Sequence, residues 1–203
     1  MAIRCRCFRI TKRIYDSPGL SFIAMSQKAW EATEKSDLPK FYLNLKSYKK
    51  SLLSNSNPYT PAVNLVFALD EALKMMREEG LKNIFSRHNK HKLAMSNAVK
   101  ALNLKLFADE KCLSPSITAI MTEEMDAEEF RKTIKNKFDI LLAGGQDHLK
   151  GRIFRVGHLG YVNDRDIITV ISAISNSLLD LGKITVQEAG EALVIASKYL
   201  EAK

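Results

Sequence analysis

Apolar residues follow two rhythms along this chain, and the rhythm changes near residue 103. Before that point they are spaced for helices. Residues 20–25, Leu-Ser-Phe-Ile-Ala-Met, predict a short strand entered through the turn signal Ser17-Pro18-Gly19. Ser26 is placed to cap a helix through Glu34, and a second helix is expected over 40–53. The polar run 54–58 reads as a loop, with Pro61 near the start of the next helix. Val63, Val66, Phe67, Leu69, Leu73 and Met76 recur at helical spacing, and Gly80 closes that helix. A longer helix follows over 81–102. Beyond Asn103 the apolar runs shorten to strand length, at 104–107, Ile117–Met121, 140–143 and 152–156. An amphipathic helix over 126–137, capped by Asp126, separates the two strand pairs. Asp164 is expected to cap a helix to Leu181, and Thr185 one over 186–201. The order strand-strand-helix-strand-strand-helix predicts an α+β layer, a small mainly antiparallel sheet with helices on one face.

Composition narrows the class. Of 203 residues, 46% are apolar, enough for one sizeable packed core. The apolar runs are far shorter than a membrane span, and residues 1–18 lack the hydrophobic core of a signal peptide. Cys5, Cys7 and Cys112 form neither a disulfide framework nor a zinc spacing, which points to a reduced, cytoplasmic protein. Cys112 reads as a small half-buried thiol. The net charge of +8 invites a nucleic-acid reading, but Arg4, Arg6, Arg9, Lys12 and Arg13, against Asp16 alone, put half of that excess into the head. Elsewhere lysines alternate with acids on helical faces, as a solvated surface does, so no nucleic-acid partner is expected. His88 and His91 stand three apart with no third ligand near, and read as a polar face.

The strongest chemical signal is Gly151-Arg152-Ile153-Phe154-Arg155-Val156-Gly157-His158-Leu159-Gly160. It predicts a buried strand that delivers Arg155 to an interior site and then turns at Gly157 and Gly160. A buried guanidinium needs an anion opposite it, and its planar fork suits a carboxylate held by two hydrogen bonds. An internal Asp or Glu would satisfy the same need.

Taken in order, several segments resemble one family. They are Pro18-Gly19-Leu20-Ser21-Phe22, Tyr59-Thr60-Pro61, Leu69-Asp70-Glu71-Ala72-Leu73 followed by Glu79-Gly80-Leu81, then Arg87-His88, Gly144-Gly145-Gln146 and Phe154-Arg155-Val156-Gly157-His158-Leu159-Gly160. From Ser17 to about Gly182 the chain is similar to the carboxyl-terminal half of the class V aminotransferases, closest to the alanine/serine–glyoxylate branch. Some members of that branch are labelled soluble hydrogenase small subunit, yet no cysteine cluster for nickel, iron or iron–sulfur stands here. The resemblance implies an α/β protein of the aspartate-aminotransferase type (fold type I), homodimeric, with long interface helices and pyridoxal 5′-phosphate as cofactor. It divides the chain into a non-family head (1–16), a remnant of the large domain with connecting helices (17–103) and a small carboxyl-terminal α+β domain (104–203). It implies transamination between a small amino acid, serine or alanine, and a 2-oxo acid such as glyoxylate. Arg155 would hold the substrate α-carboxylate, and Thr60 would reach the cofactor phosphate of the neighbouring subunit. Relatives often add a tyrosine three residues before that threonine. Here Asn57 stands there, with Tyr59 as a substitute.

The half of the family that precedes the cofactor lysine builds most of the pyridoxal site, and this chain is expected to be a truncated, catalytically incomplete form. Relatives read approximately Gly-Ser-Gln-Lys-Gly-Phe-Met-Ile-Pro-Pro-Gly, and counting back from Gly19 sets Lys12 at the Schiff-base position, though its neighbours differ. One choice of codons, ATCACAAAAAGGATTTATGATTCCCCC, gives Ile-Thr-Lys-Arg-Ile-Tyr-Asp-Ser-Pro from its first base and Ser-Gln-Lys-Gly-Phe-Met-Ile-Pro from its second. The head is therefore expected to be the family segment read one base out of frame. Three functions stay open: an aminotransferase using Lys12 and Arg155, a non-catalytic fragment lacking a pyridoxal phosphate site, and an unrelated interaction module. The helices over 63–102 are expected to leave an apolar face uncovered and to promote self-association.

Overall fold

The computed structural model describes residues 5–9 by their backbone, and residues 19–123 and 125–201 in full. The chain divides into two compact units, 1–75 and 76–203.

In the first unit, β1 (Cys5–Arg9) pairs antiparallel with β2 (Ser21–Met25), Cys5 opposite Met25 and Arg9 opposite Ser21. Ser26 Oγ accepts the Ala29 amide at 3.2 Å and starts α1 (Gln27–Glu34). The next helix, α2 (Leu45–Leu53), begins later than its apolar pattern suggests. Asn44 accepts the Lys46 amide at 3.1 Å, and this cap fixes the start. Tyr42, Tyr48 and Tyr59 gather at ring separations of 4.7 to 6.4 Å, and the Tyr59 hydroxyl donates to the Phe41 carbonyl at 3.1 Å. The long helix α3 (Val63–Glu79) buries Ala72 alone, and Phe67 is 71% exposed.

The second unit holds the core. Gly80, at φ +79°, separates α3 from α4 (Leu81–Ala101). A four-stranded antiparallel sheet follows, in the order β3-β4-β6-β5, from β3 (Lys105–Leu106), β4 (Ile117–Met121), β5 (Ala143–Gly144) and β6 (Ile153–Gly157). Between β4 and β5 lies α5 (Ala127–Phe138), started by Asp126, whose carboxylate accepts the amides of Glu128 and Glu129. The chain ends in α6 (Asp164–Asp180) and α7 (Val186–Glu201), and α7 packs chiefly on α4. Alternation along the strands turns Ile120, Phe154 and Val156 inward, against Met95, Phe130, Ile134, Ile171 and Ile174 of the helices. The sheet therefore carries its helices on one face, the layering that the element order implies.

Strand ends depart from the pattern for identifiable reasons. Asn103, at φ +56°, lets the Leu104 amide reach back to the Val99 carbonyl, so the first strand starts at Lys105. Asp139, at φ +54°, closes α5, and pairing on the edge of the sheet begins only at Ala143. Asn163, not Asp164, caps α6. Its side chain accepts the amides of Arg165 and Asp166, and the Asn163 amide donates in turn to the Asp166 carboxylate. Gly157 is the last residue of β6, opposite Ile117, and not a turn. The turn is at Gly160, at φ +79°.

A Cβ on Gly145 would lie 2.0 Å from the Leu149 carbonyl oxygen, which is backbone and cannot step aside. Gly145→Ala should therefore lower stability by about 1–3 kcal/mol or more. A urea unfolding midpoint equal to wild type would contradict this packing.

Candidate functional site

Sheet alternation puts Arg155 on the face away from the helices. Its neighbours across the sheet are Ala119 on β4 and Ala143 on β5. Two alanines leave lateral room for the guanidinium, and Arg155 is half-buried. Its Nε donates to the Gly144 carbonyl at 2.9 Å. Among the described residues no Asp or Glu lies within ion-pairing distance of it, and neither terminal nitrogen has a hydrogen-bond acceptor. A neutral carbonyl on Nε orients the fork without neutralising it, so the outer edge keeps two donors for an incoming carboxylate.

Thr60, Asn57 and Tyr59 belong to the first unit. Thr60 is exposed. Asn57 is exposed, and the Tyr59 hydroxyl is already engaged by Phe41. Lys12 lies outside the described residues. Cys112 is exposed rather than half-buried, because it ends a single 3-10 turn over Glu110–Cys112 at the surface.

The second unit also holds a buried polar layer. His91, expected on a polar face, is fully buried, and its Nε2 lies 2.8 Å from Asp164 Oδ1. A carboxylate only accepts, so Nε2 carries the proton and Nδ1, also buried, has no partner. His158 is fully buried as well, with Nε2 2.9 Å from the Thr118 hydroxyl. Burial first, and then the nearby His91, push the His158 pKa down to about 4. Burial likewise lowers His91, against the pull of Asp164. At Asp164 burial acts upward, but the bonds from Lys90 and His91 outweigh it and hold its pKa below the ordinary value. A cleft lined by Glu79, Arg87, Lys90 and Asp164 lies beside this layer. Four of its charges pair, Arg87 with Glu79 at 2.6 Å and Lys90 with Asp164 at 2.9 Å, and Arg87 also donates to the carbonyls of Gly160 and Val162. No local sequence signal marks His158 or His91 as buried, because their partners are 40 and 73 residues away.

Pyridoxal phosphate needs an amine to carry it, an anion cup for its phosphate and a carboxylate for its ring nitrogen. Around Arg155 stand Ala119, Ala143 and Gly144, which offer none of these. These neighbours supply none of the cofactor's contacts, and the group presented here is the Arg155 guanidinium. Among the described residues no helix is long and apolar enough to cross a membrane.

No family model matches the chain. It is 53% identical over 165 residues to the soluble hydrogenase 42 kDa subunit of Anabaena cylindrica, covering 81% of this chain and 43% of that protein. Serine–glyoxylate aminotransferase of Arabidopsis thaliana is 34% identical over 186 residues, covering 90% of this chain and 46% of that one. The fold is similar to that of ureidoglycine–glyoxylate aminotransferase from Bacillus subtilis, with a TM-score of 0.86 at 24% identity over 96% of this chain and 52% of that one. The chain thus spans about half the length of the curated relatives it matches.

The buried histidine makes stability pH-dependent. His158 titrates near 4 in the folded protein and near its ordinary 6.5 when unfolded, so between these values the unfolded chain binds more protons. Stability from this residue is complete above pH 6.5 and is lost as pH falls toward 4. In His158→Gln, the difference in unfolding free energy between pH 7 and pH 4.5 should shrink by about 2 kcal/mol. Parallel pH profiles for the two proteins would contradict the assignment.

Proposed function

Because the chain belongs with the class V aminotransferases and corresponds to their carboxyl-terminal half, we propose that it supplies the substrate-carboxylate end of a pyridoxal-phosphate-dependent transamination. The observation that carries this reading is Arg155, held through Nε by a neutral carbonyl, with its outer edge unpaired among the described residues. The substrates are a small amino acid, serine or alanine, and a 2-oxo acid such as glyoxylate. Both carry the carboxylate next to the reacting carbon, so one arginine serves both half-reactions. When bound, the cofactor supplies the electron sink for transfer of the amino group. Arg155 fixes the substrate so that its α-carbon is presented to that group in one orientation. Lys12 is the amine assigned to carry the cofactor, and Thr60 the hydroxyl assigned to its phosphate. The remaining contacts come from residues equivalent to the other half of the family's length.

The purified chain mixed with pyridoxal phosphate should show no near-visible band that borohydride removes, and no turnover. Supplied in trans with the amino-terminal half of a relative, both should appear. In that complemented protein Arg155→Ala should cut kcat/KM for the amino acid by about 100-fold to 1,000-fold, mainly through KM, as loss of a buried charged pair does. An unchanged KM would remove Arg155 from the site.

A second reading, a non-catalytic association module, is favoured by α3. Val63, Val66 and Phe67 on its first two turns are 49%, 48% and 71% exposed. Sedimentation of the isolated chain should show concentration-dependent association that Phe67→Glu reduces. A monomer at all concentrations, together with restored turnover in trans, would favour the aminotransferase reading alone.

A further inference from the structure

The carbonyl that orients Arg155 belongs to a weak strand. β5 is an edge strand of two residues, too short to fix its own position by ladder bonds alone. On its helix side, α5 presents Arg131 and Glu128. Arg131 Nε donates to the Leu142 carbonyl at 2.8 Å, and its Nη1 donates to Glu128 Oε2 at 2.7 Å. A Cβ on Gly144 would lie 2.5 Å from Arg131 Nη1 and 2.5 Å from Glu128 Oε1. The ion pair thus fills the space that a side chain at 144 would take. Gly144 is held between two guanidinium groups, with Arg131 against its α-carbon and Arg155 on its carbonyl.

As a surface ion pair, Arg131 with Glu128 would contribute little to stability. Its geometry suits another role, because one planar fork ties α5, the Leu142 carbonyl and the Gly144 backbone together, which a lysine ammonium cannot do. We propose that Arg131, oriented by Glu128, is a positioning residue for the carboxylate grip of Arg155. It fixes β5 so that the Gly144 carbonyl takes Arg155 Nε and leaves both terminal nitrogens for the ligand. This inference rests on the reading of Arg155 as the carboxylate anchor.

The test needs neither cofactor nor turnover. Side-chain Nε–H signals are recorded by NMR on arginine-labelled full-length chain, with Arg155 assigned by the signal lost in Arg155→Met. Pyruvate is the probe, as a small 2-oxo acid. In wild type the Arg155 Nε–H should exchange slowly and shift on pyruvate addition. In Arg131→Met it should exchange faster, and pyruvate affinity should fall on the order of tenfold. Lys137→Met, which removes the ion pair between Lys137 of the same helix and Asp180, should leave both readouts as in wild type. Unchanged Arg155 exchange in Arg131→Met, with pyruvate binding intact, overturns the positioning role and spares the anchor. Equal loss in Lys137→Met also overturns it, since the effect is then general loosening of α5. A wild-type Arg155 signal that pyruvate does not move overturns the anchor itself.

Discussion

A single hydrogen bond, from Arg155 Nε to the carbonyl of Gly144, fixes how this strand cation of the second unit is held. Arginine can be satisfied internally by a carboxylate, and a strand cation so neutralised would be structural. Here the partner carries no charge. The bond takes up one of five donors and orients the plane, while the cation keeps its demand for an anion. Everything else around it serves that arrangement. Ala119 and Ala143 give the fork room, Phe154 and Val156 anchor its strand in the core, and Gly144 lets the strand edge come close to α5.

Much of this was legible in the residues. Helical and alternating rhythms located α4, α5 and β4, because those elements each bury one face and the burial writes a period into the sequence, and the same rhythm located α3 although only its Ala72 is buried. Ser26 and Asp126 marked helix starts because a short polar side chain can satisfy a free amide there. Strand ends were less legible. Asn103 and Asp139 adopt left-handed backbone that no apolar period records, and each shifts the onset of pairing beyond its position. Asn163 and Asp164 are both plausible caps as residue types, and only the reciprocal bond to Asp166 separates them. The strand β1 was hidden in a segment whose composition says only that it is basic.

The candidate site divides in the same way. Arg155 could be singled out because a cation inside an apolar run contradicts its surroundings. Arg131 could not, since an arginine following Glu128 by three residues on a helix is an ordinary surface pair until its contact with Gly144 is seen. His91 and His158 likewise acquire their meaning from partners far along the chain. Local patterns report on burial. Long-range contacts decide chemistry, and a single sequence does not display them.

The hairpin of β1 and β2 has a bearing on which residues its strands can carry. β1 meets β2 through peptide groups in a regular antiparallel ladder. Peptide groups are common to every residue except for proline's missing N–H, so this kind of pairing is nearly blind to codon identity. A stretch whose side chains have been wholly rewritten can still dock on the same strand, provided it stays extended and free of proline. Main-chain pairing of this sort holds a strand by its backbone and leaves its side chains free to vary.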